Sequence, residues 1–134
     1  TVESAYSASE SLLLALNASK GGVQAVFAPN ESSTFGMLLA LEKAGLTGKL
    51  KFIGFDASEK LIEALRTDKL QGLIVQNPFQ MGYLGVSVLV QHLRGKPIAP
   101  LVDTGSTFVQ RSDLDNPATK QLLLPDLTPY LSGE

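Results

Sequence analysis

The chain has 134 residues, 44% of them hydrophobic and 18% charged, a net charge of −2 and no cysteine. That is the size of one domain, with apolar content sufficient to bury roughly two thirds of the unfolded surface. Without a basic excess there is no electrostatic footprint for nucleic acid or anionic lipid, and without cysteine a disulfide scaffold, a thiolate metal site and a cysteine nucleophile are all excluded.

Residues 4–17 carry Leu12, Leu13 and Leu16 with Ala5, Ala8 and Ala15, a spacing that predicts an amphipathic helix. Lys20-Gly21-Gly22 reads as its stop, because glycine takes the left-handed conformation past a helix C-terminus. An alternating α/β chain ordinarily opens on a strand, so a leading helix predicts further chain upstream. Residues 23–28 are nearly continuously apolar, as expected of a parallel strand covered on both faces. Ser32, Ser33 or Thr34 is expected to cap a helix over residues 35–44 with Leu38, Leu39 and Leu41 as its core stripe. Gly45 closes that helix, and Thr47-Gly48-Lys49 turns the chain into an apolar strand ending at Phe55.

Ser58 is expected to cap a third helix, in which Leu61, Ile62 and Leu65 have helical spacing and Glu59 and Glu63 suit the first turns. Gly72 breaks the chain before a third strand over residues 73–75. A fourth helix starts at Phe79 or Gln80, just past Pro78, and runs to Leu93 with Met81, Leu84, Val88 and Leu89 on its buried side. Arg94-Gly95-Lys96-Pro97 stops it. Residues 98–102 read as extended or loop-like and 107–110 as a short strand. From Asp113 the chain is a polar, proline-punctuated tail, and residues 120–134 are expected to lie on the surface or be disordered. The order α-βαβαβα-β predicts an α/β fold, a three-layer parallel sheet with right-handed crossovers and helices on both faces. The longest apolar runs are about half the length of a membrane-spanning helix, and the start lacks the pattern of a signal peptide.

A polar side chain follows the second and third apolar strands at once, Asp56 and Gln76, and after the first strand Pro29 is followed by Asn30 just before a helix. Open α/β sheets keep ligand sites at the carboxyl ends of their strands, so these three are the candidate binding residues. Each has a plainer reading beside it. Asn30 suits an N-cap or Asx-turn after proline, Asp56 could cap the next helix, and Gln76 could be a satisfied strand-end residue. His92, the single histidine, falls near a helix end beside Arg94, where a solvated face is expected and no second nitrogen completes a metal site. No G-x-G-x-x-G, phosphate-binding P-loop or G-x-S-x-G elbow occurs. A phosphoacceptor receiver domain would use a strand-end aspartate such as Asp56. It would also need an acidic pair after the first strand and a lysine after the last, and Pro29-Asn30 and the 107–110 strand supply neither. No enzymatic activity, metal or cofactor is expected.

Taken in order, Val26-Phe27-Ala28-Pro29-Asn30, Leu41-Glu42-Lys43-Ala44-Gly45, Phe52-Ile53-Gly54-Phe55-Asp56 and Gln76-Asn77-Pro78-Phe79-Gln80-Met81-Gly82 resemble the C-terminal half of the type I periplasmic sugar-binding proteins. Ribose-binding proteins are the nearest kind, and the effector cores of lactose-repressor family regulators are relatives and supply the alternative reading. The resemblance covers residues 1–111. It implies a flavodoxin-like lobe, incomplete at its start, with residues 79–104 packing on a missing N-terminal lobe and 112–134 forming a C-terminal tail. It implies that Asn30, Asp56 and Gln76 bind a monosaccharide or related polyol between two lobes. It also implies delivery to an ABC permease and a location in the periplasm or on the extracellular face. The chain's other expected partner is the absent lobe or a second copy of itself, with an apolar stripe of the fourth helix left for it to cover.

Overall fold

The computed structural model describes residues 1–131, and the last three residues of the expected tail lie outside them. Helix α1 (Val2–Ala15) begins on a capping box in which the Thr1 hydroxyl accepts from the Ser4 amide. Its stop is Asn17 in the left-handed conformation, φ 50°, followed by a short 3-10 turn over Ala18–Lys20, so the glycine pair comes one turn later than expected. Strand β1 (Ala25–Phe27) leads to helix α2 (Glu31–Lys43), strand β2 (Lys51–Phe55), helix α3 (Glu59–Arg66) and strand β3 (Gly72–Val75). Helix α4 (Pro78–Leu93), strand β4 (Thr107–Val109), helix α5 (Pro117–Leu123) and the single turn α6 (Thr128–Leu131) complete the described chain.

The sheet order is β1-β2-β3-β4, and the first two pairings are parallel. Strand β4 departs from the expected all-parallel sheet: it pairs antiparallel with β3, Val75 opposite Thr107 and Leu73 opposite Val109. The cause is α4. A crossover helix that packs on its sheet returns the chain to the starting end of the strands, but α4 has no buried residue and does not pack there. The chain therefore comes back to the end it left, and the next strand must run the other way. An antiparallel edge on an otherwise parallel sheet is a common arrangement.

Register and burial assign the two faces. Val26, Phe52, Gly54, Leu73, Val75 and Val109 share one face, and most of them are buried with Leu38, Leu41, Leu61 and Leu65 from the helices. Because β1, β2 and β3 succeed one another in one direction, right-handed crossovers put α2 and α3 on that same side. Phe27, Ile53, Phe55, Ile74 and Phe108 share the opposite face, where Phe27 is 58% and Phe108 44% exposed. Among the described residues, then, one helix layer covers the sheet, and the second layer of the expected sandwich is not formed.

Helix α1 packs along α2 at close range. A Cβ on Gly36 would come within 2.6 Å of the Tyr6 backbone nitrogen and 2.7 Å of the Ala5 Cβ, so only glycine allows this approach. The face of α1 in contact is Ala5, Ser9 and Leu13; Leu12 and Leu16, expected in the core, are about half exposed. In α3 the expected stripe is the buried one, with Leu61 and Leu65 fully enclosed. The tail is held down: Leu114 is buried, Leu122 and Leu123 pack against the core, and Arg111 pairs with Asp68 in the turn after α3.

Burial ranks the expected mutational costs. Leu65→Ala should lower unfolding free energy by about 2–5 kcal/mol, the cost of deleting a buried leucine side chain. Leu93→Ala, at a residue 75% exposed, should stay within about 0.5 kcal/mol. Urea unfolding followed by circular dichroism measures both, and equal effects would contradict this assignment of the core.

Candidate functional site

The strand ends come together because three parallel neighbours finish on the same side. Asn30 stands three residues past β1, Asp56 directly past β2 and Gln76 directly past β3, so the topology lines all three along one edge of the sheet. The ladder reaches that edge, with the Asp56 amide donating to the Ile74 carbonyl at 2.8 Å.

Asn30, and not Ser32, Ser33 or Thr34, is the N-cap of α2. Its Oδ1 accepts from the Ser33 amide at 2.9 Å, and the Ser33 hydroxyl accepts from the Asn30 amide at 3.3 Å. The plain reading of this residue is therefore correct. It does not consume the side chain, whose exposed NH2 makes no hydrogen bond among the described residues and keeps two donors for a ligand. Thr34 binds differently from a cap: its buried hydroxyl donates to the Asn30 carbonyl at 2.8 Å and accepts from the Phe55 amide at 2.9 Å.

Asp56 has φ 63°, left-handed backbone that aspartate tolerates better than most residues but at a cost. Its carboxyl is pushed above the ordinary aspartate value by partial burial first and by the Glu31 charge second, while the Glu31 backbone N–H acts in the opposite sense. Asp56 makes no side-chain hydrogen bond to the start of α3 among the described residues. That corrects the reading of Asp56 as a cap of α3, whose N-cap is Ser58, without a side-chain hydrogen bond. Gln76 is half-buried and makes no side-chain hydrogen bond among the described residues. Glu31, which sequence reasoning did not single out, joins the site as the second carboxylate near Asp56. Its place immediately after Asn30 was the available signal.

Two hollows flank this edge. One of about 440 Å³ lies between the starts of α2 and α3 and is lined by Glu31, Ser32, Phe35 and Ser58 among others. Another of about 820 Å³ begins directly after Gln76, between Asn77–Gln80, α3 and the α5–α6 tail, with Tyr130 packed on Phe79 at 5.1 Å between ring centroids. Asn77 caps α4 by accepting from the Gln80 amide at 2.9 Å, so the strand-to-helix exit after Gln76 is itself fixed. No group of three or more potential metal ligands occurs among the described residues.

The sequence pattern of the periplasmic binding protein domain matches residues 1–97. The chain belongs to that family. Binding-protein relatives include a ribose import binding protein of Haemophilus influenzae, 36% identical over 83 residues, which are 62% of this chain and 28% of that protein. A ribose import binding protein of Salmonella typhimurium is 38% identical over 76 residues, 57% of this chain and 25% of the relative. Among solved structures, an ABC transporter solute-binding protein of Agrobacterium vitis with bound D-fucose superposes with TM-score 0.81 at 31% identity, over 92% of this chain and 41% of that one. A second solute-binding protein of that organism, with α-D-tagatopyranose, gives TM-score 0.78 at 30% identity, over 86% and 39%. This binding-protein chain thus spans about a quarter of the curated relatives' length and about two fifths of the solved ones.

The raised carboxyl of Asp56 sets a sign for stability. A group whose folded pKa lies above its unfolded value stabilises the fold fully below the unfolded value, near 3.8, and that contribution is lost as pH rises through the folded value. At pH 7 the ionised Asp56 is therefore a burden, and Asp56→Asn, which keeps the shape and tolerates the left-handed backbone, should melt at or above the parent temperature. At pH 3 the two should melt together. Scanning calorimetry at the two pH values tests this, and a lower melting temperature for Asp56→Asn at pH 7 would contradict it.

Proposed function

We propose that this chain is part of the solute-binding component of an ABC transporter and supplies one wall of a cleft for a monosaccharide or related polyol. The observation that carries the reading is the alignment of Asn30, Asp56 and Gln76 along the carboxyl edge of three adjacent parallel strands. The Asp56 carboxylate accepts hydrogen bonds from neighbouring hydroxyls, and the amides of Asn30 and Gln76 both donate and accept, which suits a hydroxyl that does the same. Sugar-bound relatives of matching fold support that ligand class.

In the whole protein, contacts from two lobes would stabilise a closed state that a membrane permease recognises, with closure about the segment that follows Gln76. The site would work in the periplasm or on the extracellular face and needs no metal, cofactor or covalent step. The open sheet face around Phe27 and Phe108 and the bare helix α4, with Tyr83, Val86 and Leu93 exposed, read as surfaces that the remainder of the longer protein covers. A second copy of the chain is the alternative cover.

Calorimetric titration against pentoses, hexoses and polyols tests the ligand class. One stereochemical class should bind, and Asp56→Ala should weaken it about 10- to 100-fold, the equivalent of about 1.5–3 kcal/mol for hydrogen bonds to a charged group. Asp115→Ala, at the exposed start of the tail, should change nothing. Binding that is indifferent to Asp56→Ala would overturn the assignment.

A further inference from the structure

Strand β1 is shorter than its neighbour, and the mismatch leaves a backbone donor without a strand partner. The last bond of the β1–β2 ladder runs from the Ala28 amide to the Ile53 carbonyl at 3.1 Å. Amides alternate in direction along a strand, so the Phe55 N–H points toward β1 while the Asp56 N–H points toward β3 and donates to Ile74. By the level of Phe55 the first strand has already turned through Pro29 into α2. A part-buried N–H left unpaired there would be destabilising.

The partner is a side chain. Thr34, fully buried in the first turn of α2, accepts from the Phe55 amide at 2.9 Å and donates its single proton to the Asn30 carbonyl at 2.8 Å. The Phe55 carbonyl, at 3.4 Å, is the longer and secondary contact. Room for this arrangement comes from Gly54, since a Cβ there would come within 2.2 Å of the Thr34 Cγ2. One oxygen therefore joins the residue that bears the Asn30 amide to the residue that precedes Asp56.

We infer that Thr34 is a positioning residue of the strand-end site, its hydroxyl replacing a missing strand bond so that Asn30 and Asp56 are held in fixed relation. The inference rests on the ligand reading of those two residues. Thr34 lies beneath them and is enclosed, so it acts through them. A rigid pair of strand ends binds without first having to be ordered, which is where preorganised sites gain affinity.

The test compares Thr34→Val, which keeps the shape and removes the hydroxyl, with Thr34→Ser, which keeps the hydroxyl and removes the methyl. In amide hydrogen exchange by NMR, Thr34→Val should accelerate the Phe55 amide at least tenfold and shift the Asn30 and Asp56 signals. Amides of the α1–α2 contact should stay within twofold, and Thr34→Ser should restore Phe55. The Asp56 carboxyl titration, followed through its side-chain carbon, should move in Thr34→Val and return in Thr34→Ser. An unchanged Phe55 amide or Asp56 titration in Thr34→Val would overturn the inference. Should Thr34→Val fail to fold, Thr34→Ser carries the test alone, and loss of Phe55 protection there would overturn it. Sugar affinity is read separately: where the unsubstituted chain binds a monosaccharide, Thr34→Val should weaken it about tenfold and Thr34→Ser should not. A Phe55 response without any sugar binding would leave the clamp standing and remove the ligand reading instead.

Discussion

The parallel pairing of Ala25–Phe27, Lys51–Phe55 and Gly72–Val75 is the constraint on which the rest of the structure depends. It brings three carboxyl ends to one edge and so creates a row of chain exits at which polar side chains can gather. Those exits are also where the backbone has to leave the ladder, and each departure is repaired by a side chain. Asn30 caps α2, Asn77 caps α4, and Thr34 takes the place of a strand carbonyl opposite Phe55. Of the three candidate residues, Asn30 is thus itself one of these repairs, and Asp56 directly follows another, the Phe55–Thr34 bond.

This placement couples the candidate ligand groups to stability. Asp56 carries left-handed backbone, partial burial and a neighbouring carboxylate at Glu31, all of which work against the ionised, folded form. Such costs persist where the surrounding structure fixes them, here through the Ile74 ladder bond on one side and the Phe55–Thr34 bond on the other. A hydrogen-bonding ligand there would meet a carboxylate that the fold has already partly desolvated.

Much of this was legible in the sequence where a pattern has a single physical cause. Leu61, Ile62 and Leu65 read as the buried stripe of α3 because only helical spacing aligns them, and the second and third strands read correctly as short apolar runs ended by polar residues, while β1 is shorter than its apolar run and is open on the face of Phe27. The direction of β4 was missed although the resemblance already took residues 79–104 off this sheet: a helix that does not pack on its own sheet brings the chain back to the end it left. In α1 the sequence pointed to Leu13 and Ala5, which do lie on the buried face, but not to Ser9, which is buried beside them while Leu12 and Leu16 stay half exposed; the close approach that Gly36 allows favours small residues there. Asp56 gave no sign of its left-handed backbone, which glycine would have announced. Thr34 looked like one of three interchangeable capping residues, and its role depends on where β1 stops. In the tail, a few leucines such as Leu114 anchor a segment whose composition is polar.

The most direct test of the strand-end site is an NMR titration with the monosaccharide that binds, following the side-chain NH2 signals of Asn30 and Gln76 and the backbone amide of Asp56. These three should shift together, with one common saturation curve, while the side-chain signals of Asn116 and Gln121 stay in place. Shifts confined to Gln121 and the residues around the cavity between α3 and the tail would contradict the account and move the site there.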